Sequence, residues 1–177
     1  MVTPIARPAP QEFHANFKRY FDLVPDGDLG AWMSAEGARF DAMLAELTNA
    51  QWAHRYAPGK WSIKELVGHI IDTERIMSSR ALVYARGETA VYPGFDEDAF
   101  VAASDAASRS PDSLRNEWRA VRASTVALLE SLNASALDRP GFAGEKNISV
   151  RSLLWLCAGH ALHHTNVMQD RYLSPVP

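Results

Sequence analysis

The sequence is short of several things, and each shortage excludes a class of protein. Of its 177 residues only Cys157 is a cysteine, so no disulfide can form within the chain. A lone thiol suits a reducing compartment, and a cytoplasmic location is the expectation. No stretch approaches the ~18 consecutive apolar residues of a membrane span, so none is expected. Met1 to Pro8 contain no apolar run of the kind a secretory signal needs. Basic residues are not clustered, and the formal net charge is -3. Nucleic-acid binding calls for a basic patch or stripe, so neither nucleic acid nor membrane is an expected partner. Repeats and low-complexity tracts are also missing.

What is present fits one globular domain. The hydrophobic fraction is 47%, enough for a sizeable core. We expect a single domain over residues 1–177, with 1–12 and 174–177 as irregular arms. Phe13, Phe17, Tyr20 and Phe21 suggest a brief helix that packs on the body.

Four longer helices follow from periodicity and end signals. The first spans about 29 to 48, capped by Asp28, with Leu29, Met33, Phe40, Leu44 and Leu47 along one stripe. The second starts at the capping box Ser62-Ile63-Lys64-Glu65 and ends near Arg86-Gly87. The third starts at Ser110-Pro111, and Leu114, Trp118, Val121, Thr125, Leu128 and Leu132 form its seam. The fourth begins after Ser149 and runs to about Tyr172. Between the second and third lies a long connection holding Asp96-Glu97-Asp98, the solvated start of a short helix. No strand is expected.

The fold class is therefore all-α, a four-helix bundle. The link of about two dozen residues between helices two and three can run the bundle's length, about 35 Å at 1.5 Å per helical residue. An up-down-down-up topology with that long crossover is the expectation.

Against this background one stretch stands out. Gly159-His160-Ala161-Leu162-His163-His164 holds three of the six histidines within apolar sequence. Buried imidazoles need partners for their nitrogens. His160 and His164 are four apart, so their rings share one helix face and can share one ion. His69 is the histidine on the apolar side of another long helix. It lies about 10 Å from the start of helix two, and the pair lies about 12–18 Å from the end of helix four. If those helices are antiparallel, the three meet.

Three imidazoles without a carboxylate suit Zn, Ni or Fe(II), with Mn a further option. Such ligands pass their second N–H to an outer acceptor, for which Asp72, Glu74, Asn166 and Gln169 are candidates. Gly68 and Gly159 precede two of the histidines and imply a need for room, for helix packing or for a substrate. The competing reading is three core histidines satisfied by ordinary neighbours. Cys157 reads as buried and inert, His163 as surface, His14 and His54 as non-functional. The five tryptophans read as core and boundary residues.

Three motifs carry a family resemblance. Tyr56-Ala57-Pro58-Gly59-Lys60-Trp61-Ser62 through Gly68-His69 to Arg75, then Gly94-Phe95-Asp96-Glu97-Asp98, then Gly159 to His164 with Arg171-Tyr172-Leu173, resemble the DinB-like (DinB/YfiT) superfamily. The likeness extends from about Tyr20 to Leu173. It implies an up-down-down-up bundle, often dimeric, with a divalent metal, typically Zn or Ni, on His69, His160 and His164. It also implies a small-molecule substrate, in some members a low-molecular-weight thiol.

The leading expectation is a metal-dependent, thiol S-transferase-type enzyme of detoxification. One alternative is a hydrolase working through metal-activated water, with Glu74 or Asp72 as base and His163 a further catalytic candidate. The other is a non-catalytic metal-binding stress-response protein.

Overall fold

The structure, a computed structural model, describes residues 5–174. The outermost parts of the expected arms, 1–4 and 175–177, lie outside the described residues. Helices in chain order are α1 (Lys18–Phe21), α2 (Leu29–Ala45), α3 (Asn49–Ala53), α4 (Ile63–Ala85), α5 (Glu97–Ala103), α6 (Pro111–Ser131), α7 (Ala134–Leu137) and α8 (Val150–Val167). The four long ones, α2, α4, α6 and α8, are those the periodicity predicts.

Their starts follow the expected chemistry. Asp28 Oδ1 accepts from the Ala31 amide. Ser62 and Glu65 complete the reciprocal capping box on α4. Ser110 caps α6 with Pro111 at its first position, and the Ser149 hydroxyl accepts from the Ser152 amide to begin α8.

Two boundaries differ from expectation. The first long helix stops at Ala45, because Thr48 and Gln51 build a second capping box that starts α3. The last helix turns from α to π geometry over Met168–Leu173. The polar stretch after α6 is not loop alone. It forms α7 and then a hairpin, β1 (Pro140–Ala143) antiparallel to β2 (Lys146–Ser149), with Gly141 opposite Ile148. Gly144 supplies the left-handed turn at φ 62°. Each strand is four residues long, too brief for an alternating pattern to be legible.

Helix α8 is the centre of the molecule. It packs on α4, α1 and α2, and on β2 at its start. Leu153, Leu154, Trp155, Leu156, Cys157 and Ala158 are all buried in succession. A helix apolar all round belongs inside, not on a surface. Helix α4 adds a second shared wall, against both α8 and α6, while α2 closes on α6. The expected N-terminal arm is partly fastened to this body. Arg7 donates from its Nη atoms to the carbonyls of Phe21 and Val24, each at 2.6 Å, and Ile5 is buried. Among the described residues no helix is long and apolar enough to cross a membrane.

Candidate metal centre

His69 lies in the second turn of α4, on its buried side. His160 and His164 lie one turn apart on α8. Their rings converge. His160 Nε2 is 3.1 Å from His69 Nε2 and 3.1 Å from His164 Nε2. The donor nitrogens all lie within 4.8 Å of one another.

Hydrogen bonding alone does not satisfy this arrangement. One imidazole nitrogen offers either one proton or one lone pair, yet His160 Nε2 faces two partners at equal distance. Ligand nitrogens on a tetrahedral ion at 2.0–2.1 Å stand about 3.3 Å apart, close to the spacing found. The donor chemistry therefore fits a divalent metal, and the cluster suggests one without identifying it.

Burial sets the charge state. It lowers His69 to about 4, against an opposing pull from the Asp98 carboxylate. It lowers His164 to about 3, helped by His69, His163 and Arg19. His160 is pushed well below its ordinary value by burial and by its neighbouring histidines. The rings are thus neutral near pH 7, with lone pairs available for an ion.

The glycines answer to packing. A Cβ on Gly159 would stand 2.2 Å from the Tyr20 carbonyl oxygen, and one on Gly68 would stand 2.9 Å from Ala106 Cβ. Gly159 lets α1 lie directly on α8, which brings the Tyr20 ring to 5.7 Å from His160. The room is filled by the protein itself rather than left for a substrate.

The other candidates are placed as follows. Glu74 is buried and paired with Arg122, Oε2 to Nη2 at 2.7 Å. Burial raises its pKa, partly offset by Arg122. Asp72 is half-buried, and its pKa is raised by desolvation and then by Glu117, with Arg75 and Arg109 opposing. Gln169 Nε2 is 3.7 Å from Met43 Sδ. Among the described residues neither these three nor Asn166 hydrogen-bonds to a histidine ring, and the buried Nδ1 of His164 has no partner. Cys157 is buried, with its thiol pKa pushed well up by desolvation and by Glu74, as expected of an inert core thiol. His14 Nδ1 caps a short turn. His54 sets its ring edge-on to Tyr172.

Beside the cluster is a cleft of about 370 Å³, lined by Trp61, Glu97, Asp98, His163 and His164 among others. His163 is therefore a cleft residue rather than plain surface. Asp96 does begin α5, capping the Ala99 amide, but Asp98 is turned to other use. Its Oδ1 accepts from Trp61 Nε1 at 3.0 Å, and the Trp61 ring lies 4.8 Å from His69. Trp61, Asp98 and Tyr20 are the site neighbours that sequence reasoning missed. A seven-residue helix within a long connection gives no phase by which Asp98 could be aimed at His69.

The molecule is a mostly helical bundle whose core carries three converging imidazoles. The sequence profile of the DinB superfamily matches residues 33–168, and the chain belongs to that superfamily. Among solved structures it is similar to YfiT from Bacillus subtilis, described as a probable metal-dependent hydrolase with an unusual four-helix bundle topology. The TM-score is 0.71 at 18% identity, over 92% of this chain and 91% of that one. A DinB-like protein of Bacillus subtilis, YjoA, gives 0.60 at 18% identity, over 85% and 96%. A mycothiol-dependent maleylpyruvate isomerase gives 0.63 at 16% identity. There the match covers 82% of this chain but only 61% of the isomerase. At these identities the likeness is one of fold. No curated protein matches by sequence.

Proposed function

We propose that the protein is a metal-dependent enzyme in which His69, His160 and His164 hold one divalent ion, Zn or Ni ahead of Fe or Mn. The carrying observation is that His164 belongs both to the convergent cluster and to the wall of the cleft. The ion's free position would then face a space that small molecules can enter. A structural site is usually closed by a fourth protein ligand, whereas the group found among the described residues has three members. This favours catalysis over a purely structural or stress-binding role.

A bound divalent ion supplies Lewis acidity, lowering the pKa of a thiol or water at its open position. The chain's own residues do the rest. The three histidines present lone pairs, Trp61 and Tyr20 wall the cluster from solvent, and the cleft orients a substrate.

The leading reading is transfer of a low-molecular-weight thiol to an electrophile. Neither Glu74 nor Asp72 meets a histidine ring, and a strongly acidified thiol needs no protein base. The fold-likeness to a mycothiol-dependent enzyme supports the same reading. The second reading is hydrolysis, favoured by Asp98 and Glu97 on the cleft wall and by the likeness to YfiT. Buried, unpaired Cys157 suits the cytoplasm as the place of action.

The up-down-down-up topology is part of the proposal. Gly37 and Asp41 of α2 meet Trp118 and Arg115 of α6. Lys64 of α4 reaches the Ala107 carbonyl just before α6 while Glu74 meets Arg122 within it, and His69 meets His160 of α8 while the Glu74 carbonyl accepts from the Cys157 thiol. These pairings support α2 and α8 running one way and α4 and α6 the other, with residues 86–110 as the crossover. A homodimer is proposed from family resemblance alone.

The test is turnover of a chlorinated nitroarene by metal-loaded protein with a panel of cellular thiols. Thiol-dependent loss of chloride is expected, and it should vanish on His69→Ala. Hydrolysis of activated esters without any thiol, and no thiol-dependent turnover, would replace the leading reading with the second.

A further inference from the structure

A run of rings forms one wall of the cleft. The Trp61 indole lies 4.8 Å from the His69 ring. The Tyr172 hydroxyl donates to the Trp61 carbonyl at 2.9 Å, and Tyr172 meets Tyr56 edge-to-face at 4.8 Å. Leu66 and Val167 add apolar surface to the same cleft, and Lys60, Glu97 and Asp98 stand among its polar lining. Trp61 is thus held twice, through its backbone by Tyr172 and through Nε1 by Asp98 Oδ1 at 3.0 Å. Yet its side chain stays partly exposed.

A fixed, half-covered indole beside a cluster of donor nitrogens is a ready platform for a flat ligand. Its orientation is set before binding, so little side-chain freedom is lost when a ring lands on it. Aromatic pairs gain from offset or edge contacts beyond the area they bury. The cleft volume of about 370 Å³ falls at the small end of small-molecule sites, with space for one ring and a short arm.

We infer that the substrate of this site carries an aromatic ring that stacks on Trp61 while a short polar arm reaches the histidine cluster. The arm rests on the metal reading above; the ring rests on the wall alone. Trp61 is then the residue that sets specificity, and Asp98 acts through it by fixing the indole.

The experiment compares two small hydroxamates by calorimetry on the Zn-loaded full-length protein. Benzohydroxamate and acetohydroxamate offer the same metal-binding group and differ by a ring against a methyl. Benzohydroxamate is expected to bind about tenfold tighter or more, the range that burying a ring supplies. In Trp61→Leu the ratio of the two affinities should fall to about threefold or less, whatever shift both probes share, and Trp61→Phe should fall between. Zinc content and helical circular dichroism establish that each variant is folded. Tyr56→Leu, a change at the outer end of the wall, should lower the ratio less and serves if Trp61→Leu does not fold. Equal binding of both probes by the wild-type protein overturns the inference and leaves the metal reading standing. A ring preference untouched by Trp61→Leu overturns it too. Failure of both probes to bind protein that holds zinc overturns the inference and, with it, the accessible ion position on which the catalytic reading rests, while leaving the three-histidine metal site itself to the metal count.

Discussion

Replacing Gly159 by alanine tests the close approach of α1 to the site. The new Cβ would stand 2.2 Å from the Tyr20 carbonyl oxygen, 2.6 Å from its carbonyl carbon and 3.0 Å from its Cβ. Carbon contacts normally sit at about 3.5–4.0 Å, so backbone must separate by more than about 1 Å. A flexible side chain could swing aside, but a carbonyl fixed in α1 cannot. Alanine favours the helix interior by about 1 kcal/mol over glycine, and overpacking costs typically 1–3 kcal/mol, more against backbone. We expect Gly159→Ala to lose about 1–2 kcal/mol net. That corresponds to a melting temperature lower by about 2–8 °C for a chain of this size. Tyr20 would also lift from His160 and metal affinity would fall with it. Gly30→Ala is the control, because its nearest neighbour is the Leu129 Cδ2 end at 3.2 Å; it should stay within about 0.5 kcal/mol. Urea unfolding measures both. A Gly159→Ala protein as stable as wild type, with the same slope, would refute the packing argument.

Two further predictions concern buried charge. Arg122→Met strands the buried Glu74 carboxylate and should cost about 3–5 kcal/mol, while Glu74→Leu with Arg122→Met together should recover most of it; equal losses in single and double variants on denaturant unfolding would contradict this. The metal-free protein should lose stability as pH falls below about 6.5, where unfolded histidines take up protons. In the folded protein His69 stays neutral to about 4 and His164 to about 3. Each such ring contributes a slope of about 1.4 kcal/mol per pH unit within that window and none above it. Urea midpoints at pH 7 and pH 5 should show the loss, and a His69→Ala, His164→Ala variant should show less of it; a flat profile in the parent protein would count against buried neutral rings.

Much of the bundle was legible because its signals are local. Caps at Asp28, Ser62, Ser110 and Ser149 sit next in sequence to what they start. The convergence of His69 with His160 and His164 was legible too, because helical phase and depth are simple functions of residue number. The hairpin at 140–149 was not. Its strands are short, and Gly141 is there because a Cβ would meet Tyr84 at 2.3 Å, a fact about a distant helix. The partners of the candidate carboxylates were not legible for a similar reason. Glu74 is next to Thr73 on α4 and one turn from Ile70, yet it turns to Arg122 of α6. Asp98 reads as one of three acids opening a short helix, and only the path of the long connection brings it to Trp61. Sequence spacing reports faces of one helix; it is silent on which neighbour a long connection presents to that face.

Whether His69, His160 and His164 share one metal ion is decided by counting metal. The full-length protein, purified gently and then incubated with Zn or Ni and desalted, is analysed for metal beside His69→Ala, His160→Ala and His164→Ala. About one ion per chain is expected in the parent, with a marked loss in each variant and the helical spectrum unchanged. Metal contents equally near zero in parent and variants after reconstitution, or equal occupancy in all four, would contradict it.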